Sequence, residues 1–113
     1  MDFIWHRKNK LLPNATRDWI RTEVQLTLDR KTIVGFVVLQ VFEDHDGAVH
    51  EILKHDCAHG KYHVHRYYEG PHAKVVESNE PISHELYQLA KRDIVENGMS
   101  YRERFLIKYG INP

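Results

Sequence analysis

In Thr32-Ile33-Val34-Gly35-Phe36-Val37-Val38-Leu39-Gln40-Val41-Phe42, apolar side chains fall on both parities. Ile33, Val37, Leu39 and Val41 share one, and Val34, Phe36, Val38 and Phe42 share the other. A strand sends alternate side chains to opposite faces, so this run of β-branched and aromatic residues reads as a central strand covered on both faces. It is the expected spine of a sheet. Upstream, from Trp19 to Leu28, Ile20, Val24, Leu26 and Leu28 alternate with Arg21, Glu23, Gln25 and Thr27, the pattern of a strand with one wet face. Asp29-Arg30-Lys31 suits the hairpin turn between the two strands.

Downstream, Asp44-His45-Asp46-Gly47 has strong turn chemistry. A third strand is expected from Ala48 to Asp56 and a fourth from Lys61 to Tyr68, joined by Cys57-Ala58-His59-Gly60. Ala73 to Val76 reads as a short fifth strand, and Glu77-Ser78-Asn79-Glu80 as loop. After Pro81 the apolar period becomes helical: Ile82, Leu86, Leu89, Ala90 and Ile94 form one stripe, which Asn97-Gly98 would end. Ser100 and Glu103 make a capping box for a second helix running to Gly110. The expected fold class is therefore α+β: an antiparallel four- to five-stranded meander with two C-terminal helices on one face. All 113 residues suit a single domain, with a basic N-terminal arm over 1–16, the sheet over 17–76 and the helices over 81–110.

Composition narrows the function. With 42% hydrophobic and 28% charged residues the chain is globular, not a disordered tail or a low-complexity linker. Its richest apolar run is interrupted by Gly35 and Gln40, well short of the roughly 18 to 20 residues of a membrane span, so no membrane partner is expected. Met1 to Lys8 places apolar residues before basic ones, the reverse of a secretory signal, which points to the cytoplasm. The single cysteine, Cys57, has no internal disulfide partner, and a thiol beside Asp56 is a poor nucleophile.

Lys plus Arg and Asp plus Glu number 16 each, giving zero formal charge beside nine histidines. Six of the nine, His50, His55, His59, His63, His65 and His72, fall within 23 residues. Alternation places Lys61, His63, His65 and Tyr67 on one face of the fourth strand, with Tyr62, Val64, Arg66 and Tyr68 on the other. A four-residue loop after Asp56 would set Lys54 opposite His63 and His50 opposite Tyr67. A three-residue loop would set His55 opposite His63 instead, and the sequence leaves both registers open.

Each His alone is an ordinary polar residue on a wet strand, but the cluster supports sharper readings. In one, no cofactor is needed: His63 and His65 act as general acid and base, Lys61 and Arg66 hold a phosphate, and His59 or Tyr67 assists. Those are the parts for metal-independent RNA cleavage, in which one imidazole deprotonates a ribose 2′-hydroxyl and another protonates the departing 5′-oxygen. Tyr62, Tyr67 and Tyr68 are the residues that would stack on splayed bases. Seven basic residues, Arg7, Lys8, Lys10, Arg17, Arg21, Arg30 and Lys31, give the first 31 residues a net charge of +3 that would help hold a backbone. In a second reading, a metal-binding protein or metal-dependent hydrolase, His63 and His65 bind zinc or another divalent transition metal with a further ligand from His50, His55 or His72. In a third, the domain is a non-catalytic protein-interaction module.

Across Asp56-Cys57-Ala58-His59-Gly60-Lys61-Tyr62-His63-Val64-His65-Arg66, the chain resembles the TumE-like toxins of prokaryotic toxin–antitoxin pairs. The likeness extends over residues 19–97 in element order and is carried at residue level by the hairpin. It implies a histidine-rich, translation-blocking endoribonuclease with RNA as substrate and a cognate antitoxin as partner, the site falling on His59, His63, His65 and Arg66. Self-association as a homodimer is compatible with it. With ordinary histidine pKa values near about 6.5, nucleic-acid affinity is expected to rise between about pH 7.5 and 5.5.

Overall fold

The computed structural model describes residues 3–57 and 60–113. Its strands are β1 (Ile4–Leu11), β2 (Asp18–Leu26), β3 (Ile33–Glu43), β4 (Val49–Asp56), β5 (Tyr62–His65) and β6 (Val76–Ser78), followed by one helix, α1 (His84–Tyr109). All neighbours pair antiparallel and spatial order equals chain order, so the sheet is a six-stranded meander in an α+β fold. No helix of the described residues is long and apolar enough to cross a membrane.

The elements depart from expectation at four places. Half of the expected N-terminal arm is β1, paired with β2 along its whole length from Ile4↔Leu26 to Leu11↔Trp19. Its residues are mostly exposed, so no apolar alternation marks it; the backbone ladder and a cross-strand Arg7–Glu23 ion pair hold it instead. The last strand is Val76–Ser78, so Glu77 and Ser78 belong to the sheet and not to a loop. β5 ends at His65, three residues early, because Tyr67–Glu69 turns as a 3-10 helix closed by Gly70 N–H donating to Tyr67 O.

The two expected helices are one. Ser83, not Pro81 or Ser100, caps α1, its side chain accepting from Leu86 N at 3.0 Å. Gly110, left-handed at φ 63°, closes the helix with its N–H on Leu106 O. Gly98 lies mid-helix, where α1 presses against the sheet: a Cβ there would stand 3.2 Å from Gln40 Nε2 and 3.3 Å from Leu12 Cδ1. Gln40 is fully buried and donates through Nε2 to Gly98 O at 2.7 Å. A residue that reads as a helix stop is therefore the point of closest approach, and packing offsets its propensity cost of about 1 kcal/mol.

α1 buries Leu86, Tyr87, Ala90, Ile94 and Phe105 in a core that includes Phe36, Val38, Phe42, Ile52 and Leu53. Each large side chain enclosed there contributes about 1.5 to 3 kcal/mol. Leu89, expected on that stripe, points to solvent at 53% exposure. Across the helix axis Arg102 lies over the Phe42 ring at 4.5 Å and 3.4 Å from buried Asp18, whose carboxyl burial raises against the pull of that guanidinium. β3 is central, but helix covers one face only: Val37 and Leu39, on the other, remain part-exposed.

Candidate functional site

The histidines do not form one cluster, because the register of β4 sorts them. Lys54 pairs with His65, His55 with Val64 and Asp56 with His63, which is neither expected register. Cys57 N–H donates to Phe36 O at 3.0 Å, prolonging the β3 ladder beyond Asp56, so the chain reverses later than a three- or four-residue loop would allow. Gly60 completes that reversal at φ 94°, its N–H on Cys57 O. Lys54 still shares the face of His63 and His65, since parity is unchanged from the four-residue case. His50 does not, because Gln40 pairs with Leu53 while Val41 pairs with Glu51, leaving Ile52 as an extra residue that reverses the alternation. His50 thus lies toward α1, stacked on Phe42, with Nε2 2.8 Å from Asp44 Oδ2.

The four residues of the metal reading therefore divide, His63 and His65 on the open face and His50 and His55 on the helix face. Among the described residues no group of three His, Cys, Asp or Glu could hold a metal ion. His59 lies outside the described residues.

On the open face the strand pairings align Asp56, His63 and Glu77 in one row and Lys54 with His65 in the next. The His63 and His65 rings stand 6.3 Å apart, centre to centre. Glu77 joins Lys61 and His63: its Oε1 is 2.9 Å from Lys61 Nζ and its Oε2 is 3.2 Å from His63 Nε2. Those contacts, the Lys61 hydrogen bond foremost, hold the Glu77 carboxyl below its usual range. His65 has different surroundings. Burial, then the Lys54 charge, pushes its pKa below the usual 6.5, and its ring stacks on Tyr67 at 5.8 Å. His65 and Tyr67 line a cleft of about 220 Å³ together with Arg66, Pro71 and Val75. Lys54 Nζ is 4.0 Å from Asp56 Oδ2.

Arg66 lines that cleft, while its charge is felt by the phenols of Tyr62, Tyr68 and Tyr101. Tyr62 and Tyr68 are turned from the open face. Tyr68 is buried against the Tyr101 ring at 4.6 Å, and Tyr62 hydrogen-bonds His55, so Tyr67 alone of the three is placed on the His65 side. Farther along the face, Arg21, Val37 and Leu39 line a groove of about 340 Å³, where Leu39 pairs with Lys54 across the ladder.

Sequence reasoning missed two features. Glu77, expected in a loop, lies in β6, whose three residues are too few to show an alternating period in the sequence. Beneath the hairpin, His55 Nε2 lies 2.9 Å from Asp93 Oδ2 and its Nδ1 lies 2.5 Å from Tyr62 Oη. Tyr101 Oη and Asn97 Nδ2 donate to Asp93 Oδ1 at 2.6 and 3.1 Å. Burial works to raise the Asp93 carboxyl, but the His55, Tyr101 and Asn97 hydrogen bonds outweigh it and leave the pKa lowered. Burial pushes Tyr62 up to about 12, so its hydroxyl stays protonated near neutral pH. Asp93, Asn97 and Tyr101 recur every four residues beside the apolar stripe, the signal of a polar seam on the inner helix face. Cys57 is 1% exposed and burial raises its thiol to about 11, which excludes a thiolate nucleophile near neutral pH.

Residues 7–110 match the family described as Domain of unknown function (DUF7718). That is most of the chain, and the chain belongs to that family. Searches of the curated proteins and of the solved structures return no match.

Proposed function

We propose that this DUF7718 member is a toxin-type endoribonuclease whose open sheet face cleaves single-stranded RNA without a metal, with His65 as general base and His63 as general acid. The observation that carries the reading is a pair of adjacent imidazoles, 6.3 Å apart, in unlike surroundings. Burial and Lys54 favour the neutral His65 ring near pH 7, ready to accept the proton of a ribose 2′-hydroxyl. That oxygen attacks the adjacent phosphorus, the bond to the 5′-oxygen breaks, and the departing oxygen takes a proton from His63. The products are a 2′,3′-cyclic phosphate and a 5′-hydroxyl end, and water restores the proton balance between the two rings. Glu77 fixes the His63 ring through Nε2, leaving Nδ1 for the substrate. Lys54 and Lys61 supply positive charge as the phosphoryl oxygens gain electron density, and Tyr67 restrains the His65 ring. The toxin assignment rests on the Asp56–Arg66 resemblance and brings with it an antitoxin as protein partner.

The test is cleavage of a single-stranded RNA by the purified protein, with end-group analysis of the products. His63→Ala and His65→Ala should each reduce the rate about 10²- to 10⁴-fold, and a chelator should leave it unchanged. Full activity in the double variant would falsify the assignment.

A further inference from the structure

The opposite side of the β1 edge carries a group of cations. Lys8, Lys10, Arg30 and Lys91 each lack a carboxylate within 4.0 Å among the described residues, although Arg7, one position away, pairs with Glu23. His6, Lys8 and Arg30 rim a groove of about 330 Å³ whose walls include Val24, Leu26 and Tyr87. Lys91 Nζ lies 4.4 Å from the centre of the Tyr87 ring, and the charges of Lys8 and Lys10 reach it. Four like charges gathered around an apolar and aromatic floor oppose folding by mutual repulsion, so a polyanion that neutralises them would bind with a favourable release of that repulsion.

Lys8 also lines the open-face groove of Arg21, Val37 and Leu39, so the two grooves meet across β1. The path from the histidines to this edge crosses four strand spacings, roughly 19 Å. Lys8 and Lys10 are two residues apart on one strand, roughly 7 Å, a separation comparable to that of successive phosphates on an extended single strand.

We infer that a single-stranded RNA lying on the histidine face continues round the β1 edge, its phosphates held by Lys8, Lys10, Lys91 and Arg30. This rests on the ribonuclease reading for the choice of RNA, but its test needs no cleavage. In a His63→Ala, His65→Ala background, fluorescence anisotropy with a labelled RNA of about twelve nucleotides should show about tenfold weaker binding after Lys8→Gln with Lys10→Gln. The slope of log affinity against log salt should fall by about 1.4, two phosphate contacts at about 0.7 each. Lys91→Gln, read separately because Lys91 also packs on Tyr87, should weaken the long RNA as well. Equal affinity and slope for the long RNA in folded proteins overturns the inference. Lysine-dependent binding by a protein that proves not to cleave RNA supports the groove and rejects the ribonuclease reading, so the two fail separately.

Discussion

At the residue scale, His65 and Asp93 are both shifted downward, for opposite physical reasons and with different consequences. Burial and the Lys54 ammonium disfavour the imidazolium of His65. Replacing Lys54 by Met removes the second cause, so the His65 pKa should rise and the acid limb of the cleavage profile should move to higher pH. An unmoved limb measured from kcat/KM would exclude His65 as the titrating base. Asp93 is held ionised by His55, Tyr101 and Asn97 against burial. Its folded pKa lies below the usual 3.8, so its contribution is present above 3.8 and is lost as pH falls through that value toward the folded one. Asp93→Ala strands a His55 nitrogen and the Tyr101 hydroxyl and should destabilise the protein by about 2 to 4 kcal/mol, measured by urea unfolding. The same variant should lose the steepening of acid unfolding below that pH. His63 and His65 were readable from the chain because a two-residue spacing on a strand dictates a shared face. The His55–Asp93 contact was not, since it joins residues 38 positions apart and no local pattern encodes that meeting.

At the element scale, α1 shows how a local rule yields to tertiary packing. Asn97-Gly98 and the Ser100–Glu103 box are good boundary signals, yet the helix continues because Gly98 is where Gln40 and Leu12 leave no room for a side chain. Gln40 is anchored to Gly98 O and cannot withdraw, so Gly98→Val should cost about 2 to 3 kcal/mol in urea unfolding. Gly98→Ala should cost less, because its gain of about 1 kcal/mol in helix propensity offsets part of the clash. Stability equal to wild type in the Val variant would mean that the helix does not sit this close. Ser83→Ala should cost about 1 kcal/mol, confirming which residue starts the helix. β3, its β-branched run visible on both parities, was legible at once. β1 was not: its exposed side chains show no apolar period, and its pairing to β2 rests on backbone groups that every sequence possesses.

At the scale of the whole molecule, the nine histidines and zero net charge take on a narrower meaning. His50 faces Asp44, His55 faces Asp93 and His63 faces Glu77, so much of the titratable charge is matched locally and divided between two sheet faces. If the open face carries the RNA, the His63→Ala, His65→Ala protein should show a flatter gain in RNA affinity on acidification between about pH 7.5 and 5.5 by anisotropy. Stability should also decline on the acid side. The folded pKa of His65 lies below its usual 6.5, so protonation favours the unfolded chain as pH drops through 6.5; Glu77 and Asp93 follow below 4.5 and 3.8. Asp18 has the opposite sign, its raised pKa adding stability below 3.8 that disappears as pH rises through the folded value.

The meander itself dictates an order of assembly. Each strand's partner is its chain neighbour, so every ladder can zip from an adjacent turn, which favours rapid collapse of the sheet. The helix that covers Phe36, Val38 and Phe42 begins only at His84. During synthesis on the ribosome, all six strands emerge before their cover does, and the nascent sheet spends that interval with its greasy side bare. An early interception by a chaperone, or by an inhibitor present at translation, would find there a surface that the finished protein never displays.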